Sequence, residues 1–203
     1  YDVTEANGID TCTLSGDDSG DFTATKVDSD TCRIAFTSAP DYENPDDTGA
    51  NNVYNVNLIA TDAASNTDTI AMTITVTDVN DQTPAVTVNS AYSHAEASST
   101  TWQTFTITDT DTTGTYACTL GGTDAADFAR SISGKVCTVT FAAAPDYEDP
   151  ADDGSSNVYD LTITFTDGTN SLAAQTTAVT VTDVNDQTPS YSSSDTTPNV
   201  DEG

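Results

Sequence analysis

Apolar residues along this chain alternate with polar ones in short runs. Tyr54, Val56, Leu58 and Ala60 share one parity, with mostly Asn and Thr between them, and Tyr159, Leu161, Ile163 and Phe165 repeat the pattern. Ile70, Met72, Ile74 and Val76 alternate likewise. Successive side chains of an extended chain point to opposite faces, so a period of two predicts half-buried β-strands. Phe105, Ile107 and the cysteine-bearing stretches add further strands. Clusters of Asp, Asn, Gly and Pro punctuate the runs as turns, and no stretch has helical periodicity. The fold class expected is all-β.

The pattern is also internally repeated. Pro40 to Asp62 (PDYENPDDTGANNVYNVNLIATD) returns 105 residues later as Pro145 to Asp167 (PDYEDPADDGSSNVYDLTITFTD). TVTDVNDQTP at Thr75 returns at Thr180 with the same offset, and CTLSGDDSGDF at Cys12 returns as CTLGGTDAADF at Cys118. VDEG at Val200 to Gly203 takes the place that HAEA (His94 to Ala97) holds in the second unit. The expected modules are 1–84, 85–189, and a linker with the first strand of a following module at 190–203. Six or seven short strands in about 105 residues suit a β-sandwich. Only six residues separate Glu5 from Cys12, against 21 between Glu96 and Cys118. The first unit is therefore expected to be short of an early strand and of any DxD.

Charge narrows the function. The chain has 33 acidic and 4 basic side chains, a formal net charge of −29. Lys26, Arg33, Arg130 and Lys135 stand singly, so there is no basic surface for nucleic acid or an anionic membrane. With 35% hydrophobic and 7% aromatic residues the cores must be thin. No apolar run approaches the roughly 18 residues of a membrane helix, no signal peptide stands at Tyr1, and the chain is expected to start inside something longer.

Cys12 and Cys32 recur as Cys118 and Cys137, one pair per repeat, which makes pairing within a unit the economical reading. A two-cysteine metal site and free buried thiols are the competing readings. Closing a loop of about 20 residues would stabilise a thin-cored sandwich by roughly 3 kcal/mol, and disulfides persist in oxidising compartments. An extracellular or cell-surface location follows.

Of the acids only five are Glu, and they recur at two kinds of place: Glu43 and Glu148 in the DYE triplets, Glu5, Glu96 and Glu202 near the start of a unit. Asp41, Asp78, Asn80, Asp81 and Gln82, then Asp146, Asp183, Asn185, Asp186 and Gln187, place further oxygens beside them. An all-oxygen set suits Ca2+, which takes six to eight oxygens in tolerant geometry, whereas zinc prefers His and Cys.

The combination of an early-strand Glu, DxD, DYE, A-x-D or T-x-D and a terminal DxNDxxP resembles cadherin repeats, in the divergent form of microbial surface adhesins. DVNDQTP occurs twice, each some 34 residues after a DYE, and the resemblance covers nearly the whole chain. It implies tandem Greek-key sandwich modules in an elongated rod, with Ca2+ at the junctions. For the internal junction it implies Asp41, Glu43, Asp78, Asn80 and Asp81, completed by Asp109, Asp111 and Asp167. For the following one it implies Glu96, Asp146, Glu148, Asp183, Asn185 and Asp186. Asp62 would face a module preceding the first unit, and Glu5, the first unit's early-strand Glu, is a further ligand candidate, secondary to Glu96. Gln stands where the family's linker motif ends in Asn.

Carboxylates a few ångströms apart repel by about 1 kcal/mol per pair even in water, so metal would turn repulsion into a stiff linker. The function expected is a calcium-rigidified adhesin or stalk segment, not an enzyme: no GxSxG, HExxH or phosphate loop is present. The partners expected are neighbouring modules or identical subunits, with a surface or matrix partner beyond. A second reading is a filament protomer whose C-terminal tail adds a strand to the next subunit; a third is an accessory module of a polysaccharide enzyme. The loops at Asp46 to Gly49 and Asp152 to Gly154, with Asp17 and Asp18, read as solvated turns. DTDTTG at Asp109 has Leu120 where an EF-hand needs Glu. His94 reads as an exposed strand residue and Trp102 as core or a surface anchor.

Overall fold

The computed structural model describes residues 1–3 and 8–191. These are strands, turns and loops apart from two single 3-10 turns, Ser19–Asp21 and Ala125–Asp127. They form two compact units. Unit 1 holds Tyr1–Pro84 together with the loops Asp109–Thr115 and Asp167–Asn170; unit 2 holds Ala85–Thr108, Tyr116–Thr166 and the chain from Ser171.

Unit 1 contains β1 (Ile9–Ser15), β2 (Phe22–Lys26), β3 (Cys32–Phe36), β4 (Val53–Asp62) and β5 (Thr67–Thr75). The sheet order is β1-β4-β5, and β2 and β3 form a hairpin. Unit 2 contains β6 (Ala91–Ala95), β7 (Thr101–Thr106), β8 (Ala117–Gly121), β9 (Phe128–Ser133), β10 (Val136–Phe141), β11 (Val158–Thr166) and β12 (Gln175–Thr182). One sheet runs β7-β10-β9 and the other β6-β12-β11-β8, with β6 parallel to β12.

The alternation read from the sequence selects the core. Tyr159, Leu161, Ile163 and Phe165 of β11 are buried against Val179 and Val181 of β12 and against Phe105, Val139 and Phe141 of the other sheet. Cys118–Cys137 ties β8 in one sheet to β10 in the other, and Cys12–Cys32 is its counterpart between β1 and β3. Trp102 is core: its ring lies 5.4 Å from Tyr92, 5.6 Å from Phe128 and 6.0 Å from Phe105. His94 is not a fully exposed strand residue but half-buried, its ring 5.1 Å from that of Phe141.

In unit 1 the same alternation on β5 packs less well. Ile70 is 45% exposed, and a cavity of about 450 Å3 opens beside Val3, Ile9, Leu58, Ala60 and Ile70. The physical reason is a missing neighbour. Among the described residues β5 has no counterpart of the strand β6 that covers β12, and Ala60 stands where unit 2 has Phe165.

Backbone register also pairs the start of the chain with β3. Tyr1 and Cys32 exchange hydrogen bonds (2.7 and 3.0 Å) and Val3 N–H donates to Asp30 C=O. Phe105 faces Cys137 in the same way, and Ile107 N–H donates to Lys135 C=O. Tyr1–Val3 thus matches Phe105–Ile107 in its pairing. Glu5, expected as an early-strand ligand, and residues 192–203, expected as a linker and first strand, lie outside the described residues.

The acidic turns are solvated only in part: Asp17, Asp46 and Asp153 are exposed, whereas Asp18, Asp47 and Asp152 are buried. Asp18, Asp47, Asp124 and Asp152 are each at most 5% exposed. Asp18 accepts N–H bonds from Thr48 (2.6 Å) and Asn55 (2.5 Å), and Asp124 from Asp153 (2.7 Å) and Asp160 (2.6 Å). Asp47 accepts from Asn51 and Asn52, and Asp152 from Ser156 and Asn157. A long loop ahead of β4 or β11 carries N–H groups that must find acceptors once buried, and these carboxylates supply them. Burial pushes Asp18 up, but the N–H groups of Asn55 and Thr48 outweigh it and hold the carboxyl below its ordinary value. Gly122 closes the turn before Asp124: at φ +98°, any Cβ would fall 2.5 Å from Asp160 C=O.

Candidate metal centre

The DYE loop is shaped before any ligand is considered. Asp41 Oδ1 accepts the N–H groups of Glu43 (3.0 Å) and Asn44 (3.1 Å). Asn52, held in the left-handed region at φ 65°, donates its amide to Tyr42 C=O (2.9 Å). Asn157 does the same for Tyr147 in unit 2. Asp41 and Asp146 therefore cap their own loops, and among the described residues neither joins a carboxylate cluster.

In unit 1, one carboxylate oxygen from each of Glu43, Asp81 and Asp111 comes within 4.8 Å of the others, and so do oxygens of Asp109, Asp111 and Asp167. Asp111 belongs to both sets. It is 1% exposed and Asp167 is fully buried. Each carboxylate is oriented from outside the cluster. Asp111 Oδ2 accepts the Gln82 N–H (2.9 Å), and Asp167 Oδ1 accepts those of Thr169 and Asn170 (both 2.7 Å). Asp78 Oδ2 accepts the N–H groups of Thr112 (2.7 Å) and Thr113 (3.1 Å) and the Thr112 hydroxyl. One edge of the Asn80 amide lies 3.1 Å from Asp111 Oδ2 and 3.0 Å from Asp167 Oδ2. Presented as NH2 it bridges two carboxylates; presented as oxygen it joins them.

Glu43 Oε1, Asp78 Oδ1 and Asp111 Oδ1 are buried and accept no hydrogen bond. Buried anionic oxygens without donors are unfavourable unless a cation meets them. The set is all oxygen and carboxylate-rich, so these residues fit Ca2+. Burial, together with repulsion from Asp111, Asp81 and Asp78, pushes Glu43 above the ordinary carboxylate value. The Thr112 hydroxyl, with the N–H groups, holds Asp78 below it. Burial raises Asp167, but the Asn170 and Thr169 N–H groups win and hold it low.

A raised folded-state value means that Glu43 favours the folded chain when protonated, a contribution present below its unfolded value near 4.5 and lost as pH rises through the folded one. In metal-depleted buffer Glu43→Gln should melt higher than the parent at pH 7 and with it at pH 3. A variant that melts lower at pH 7 would contradict the electrostatics.

Unit 2 carries a third cluster, Glu96, Glu148 and Asp183. Glu96 is 3% exposed and clamps two loops, accepting the N–H groups of Val184 and Tyr147, both at 2.6 Å. Burial first, then the charge of Glu96, pushes Glu148 up. Asn185 and Asp186 stay exposed outside this cluster, and Asp186 accepts from Gln187. Asp62 caps its own turn through Ala64 and Asn66. Residues not singled out from sequence hold the ligand candidates: Asn52, Thr112, Thr113, Thr169 and Asn170. Only Asn52 left a signal, recurring as Asn157 at the repeat offset.

The inter-sheet disulfide, the parallel β6–β12 edge and the DYE and DVND loops brought to carboxylate clusters together describe a cadherin-like β-sandwich fold. Among solved structures the chain is similar to protocadherin gamma B7 extracellular domains 3–6, described as a cis-dimer, with TM-score 0.63 and 23% identity over 90% of this chain and 42% of that one. It is also similar to mouse clustered protocadherin gamma C3 extracellular domains 1–3 (TM-score 0.63, 21% identity, 86% of this chain and 56% of that one). Drosophila N-cadherin domains 1–4 give TM-score 0.60 at 19% identity, covering 85% and 41%. The chain thus spans about half or less of these proteins' solved lengths. No protein-family model matches the sequence, and no curated protein sequence does.

Proposed function

We infer that this chain is a calcium-rigidified segment of an extracellular adhesin or stalk, with modules at 1–84 and 85–189 and a further one beginning after 190. The observation that carries this reading is the pair of carboxylate clusters sharing the buried Asp111, with three buried oxygens that accept no hydrogen bond. Asp81, Asp111, Asp109, Asp167 and Glu43 would hold the ions, with Asp78 and Asn80 beside them; bound calcium supplies positive charge that the fold itself lacks there. Asp111 and Gln82, and Asp78 and Thr112, join the DVND segment to the DTD loop, so the ions would stiffen a connection already drawn by hydrogen bonds. Two disulfides accord with an oxidising, extracellular setting. Microbial surface attachment and a matrix or identical-subunit partner belong to the same proposal.

Calcium titration by calorimetry, with small-angle scattering in EGTA and in millimolar Ca2+, tests it on the parent and on Asp78→Ala/Asp81→Ala. Binding with stiffening in the parent and loss of both in the variant is expected. A parent that binds no calcium overturns the reading. The uncovered β5 edge and its cavity favour a second reading, a filament built by strand addition; concentration-dependent polymers that persist in EGTA would select it.

A further inference from the structure

Asp78 is held by an unusual convergence of donors. Its Oδ2 accepts three hydrogen bonds from two consecutive residues, the Thr112 N–H at 2.7 Å, the Thr113 N–H at 3.1 Å and the Thr112 hydroxyl. Its other oxygen, Oδ1, is buried and accepts none. Asp111 follows the same division: Oδ2 takes the Gln82 N–H, and Oδ1 is buried without a donor in a side chain only 1% exposed. Each carboxylate thus has one oxygen saturated by the protein and one left bare. For Asp111 Oδ2 the donors are the Gln82 backbone N–H and, presented as NH2, the Asn80 amide, a residue already among the ligand candidates. For Asp78 one of three is a side chain, and Thr112 stands just beyond the acidic DTD triplet.

We propose that Thr112 is the positioning residue of the metal centre, its hydroxyl locking Asp78 Oδ2 so that Oδ1 alone is offered to the cation. This rests on the calcium reading above. The lock exists before metal arrives, because every donor belongs to the protein. Calcium then meets a fixed single-oxygen donor and does not have to order a swinging carboxylate. Partners of this kind, which orient a ligand without touching the metal, commonly change metal affinity by about 10-fold or more when removed.

Thr112 is exposed, and both backbone donors survive its replacement, so variants should fold. Calcium affinity is measured by calorimetry on the parent, Thr112→Val, Thr112→Ala and Thr112→Ser. Thr112→Val and Thr112→Ala are expected to bind about tenfold more weakly, and Thr112→Ser, which keeps the hydroxyl, within about twofold of the parent. Thr112→Val and Thr112→Ala binding as tightly as the parent, or a Thr112→Ser that fails to rescue, would overturn the role. A melting temperature lowered with unchanged affinity would also overturn it, by assigning the hydroxyl to stability alone. Hydrogen exchange in metal-depleted buffer gives an independent reading: the Thr112 and Thr113 amides of the parent should exchange slowly, and free exchange would show that no lock precedes the ion. A parent that binds no calcium fails the underlying reading, whatever the variants do.

Discussion

Asp111→Asn is expected to reverse sign between metal-free and calcium-loaded conditions. Without metal, Asp111 is a buried carboxylate shared by two clusters, one with Glu43 and Asp81 and one with Asp109 and Asp167. Removing its charge relieves like-charge repulsion, while the Asn oxygen still accepts the Gln82 N–H. The variant should therefore unfold at the same temperature as the parent or higher in metal-depleted buffer. With calcium at roughly 100 times its dissociation constant each bound ion stabilises the folded state by about 2.7 kcal/mol. Two clusters that share one ligand should lose most of that gain together, about 3 to 5 kcal/mol. Thermal unfolding at matched pH in both buffers reads the crossover. A variant less stable than the parent by the same margin in both would make Asp111 a structural residue and remove the metal from the account.

Phe165→Ala should be the most damaging single change in unit 2. The side chain is fully buried, its ring 5.8 Å from Phe105 of the opposite sheet. Truncating a buried Phe removes transfer free energy and leaves a hole, typically about 3 to 5 kcal/mol. Unit 1 carries the natural comparison, because Ala60 occupies the same place beside an existing cavity. Leu58→Ala, on that cavity, should fall near the low end for a buried Leu, about 2 kcal/mol. Urea denaturation with separate transitions for the units checks both. Equal losses at the two sites would mean that the cavity is filled in solution.

The parity of β4 and β11 was readable because side-chain direction in a strand is strictly alternating, and the disulfides because a repeat duplicates its cross-links. Parity on β5 was equally clear, yet Ile70 is half exposed, since burial needs a facing strand and no local pattern reports whether one exists. Asp18, Asp47 and Asp152 were read as solvated because acidic turns usually are, and Asp124 was not singled out. Their job is to satisfy backbone N–H groups, a demand invisible in composition, though their recurrence at offsets of 106 and 105 was a signal. Among the candidate ligands, Asp41 and Asp146 look as suitable in sequence as Glu43 and Glu148. Two residues of spacing decide which carboxylate turns back onto its own loop and which reaches out. Thr112 carried no sequence signal, because a hydroxyl acting on a distant carboxylate leaves no motif.

The aromatic cluster around Trp102 has an optical consequence. The chain has one tryptophan, and it is 7% exposed within unit 2. Indole emission excited selectively at long wavelength therefore starts blue-shifted and moves red only when unit 2 opens, leaving unit 1 silent. Tyrosine signals, from Tyr54 in the core of unit 1 among others, carry the rest. The two halves of the molecule can thus be followed in one cuvette without a label.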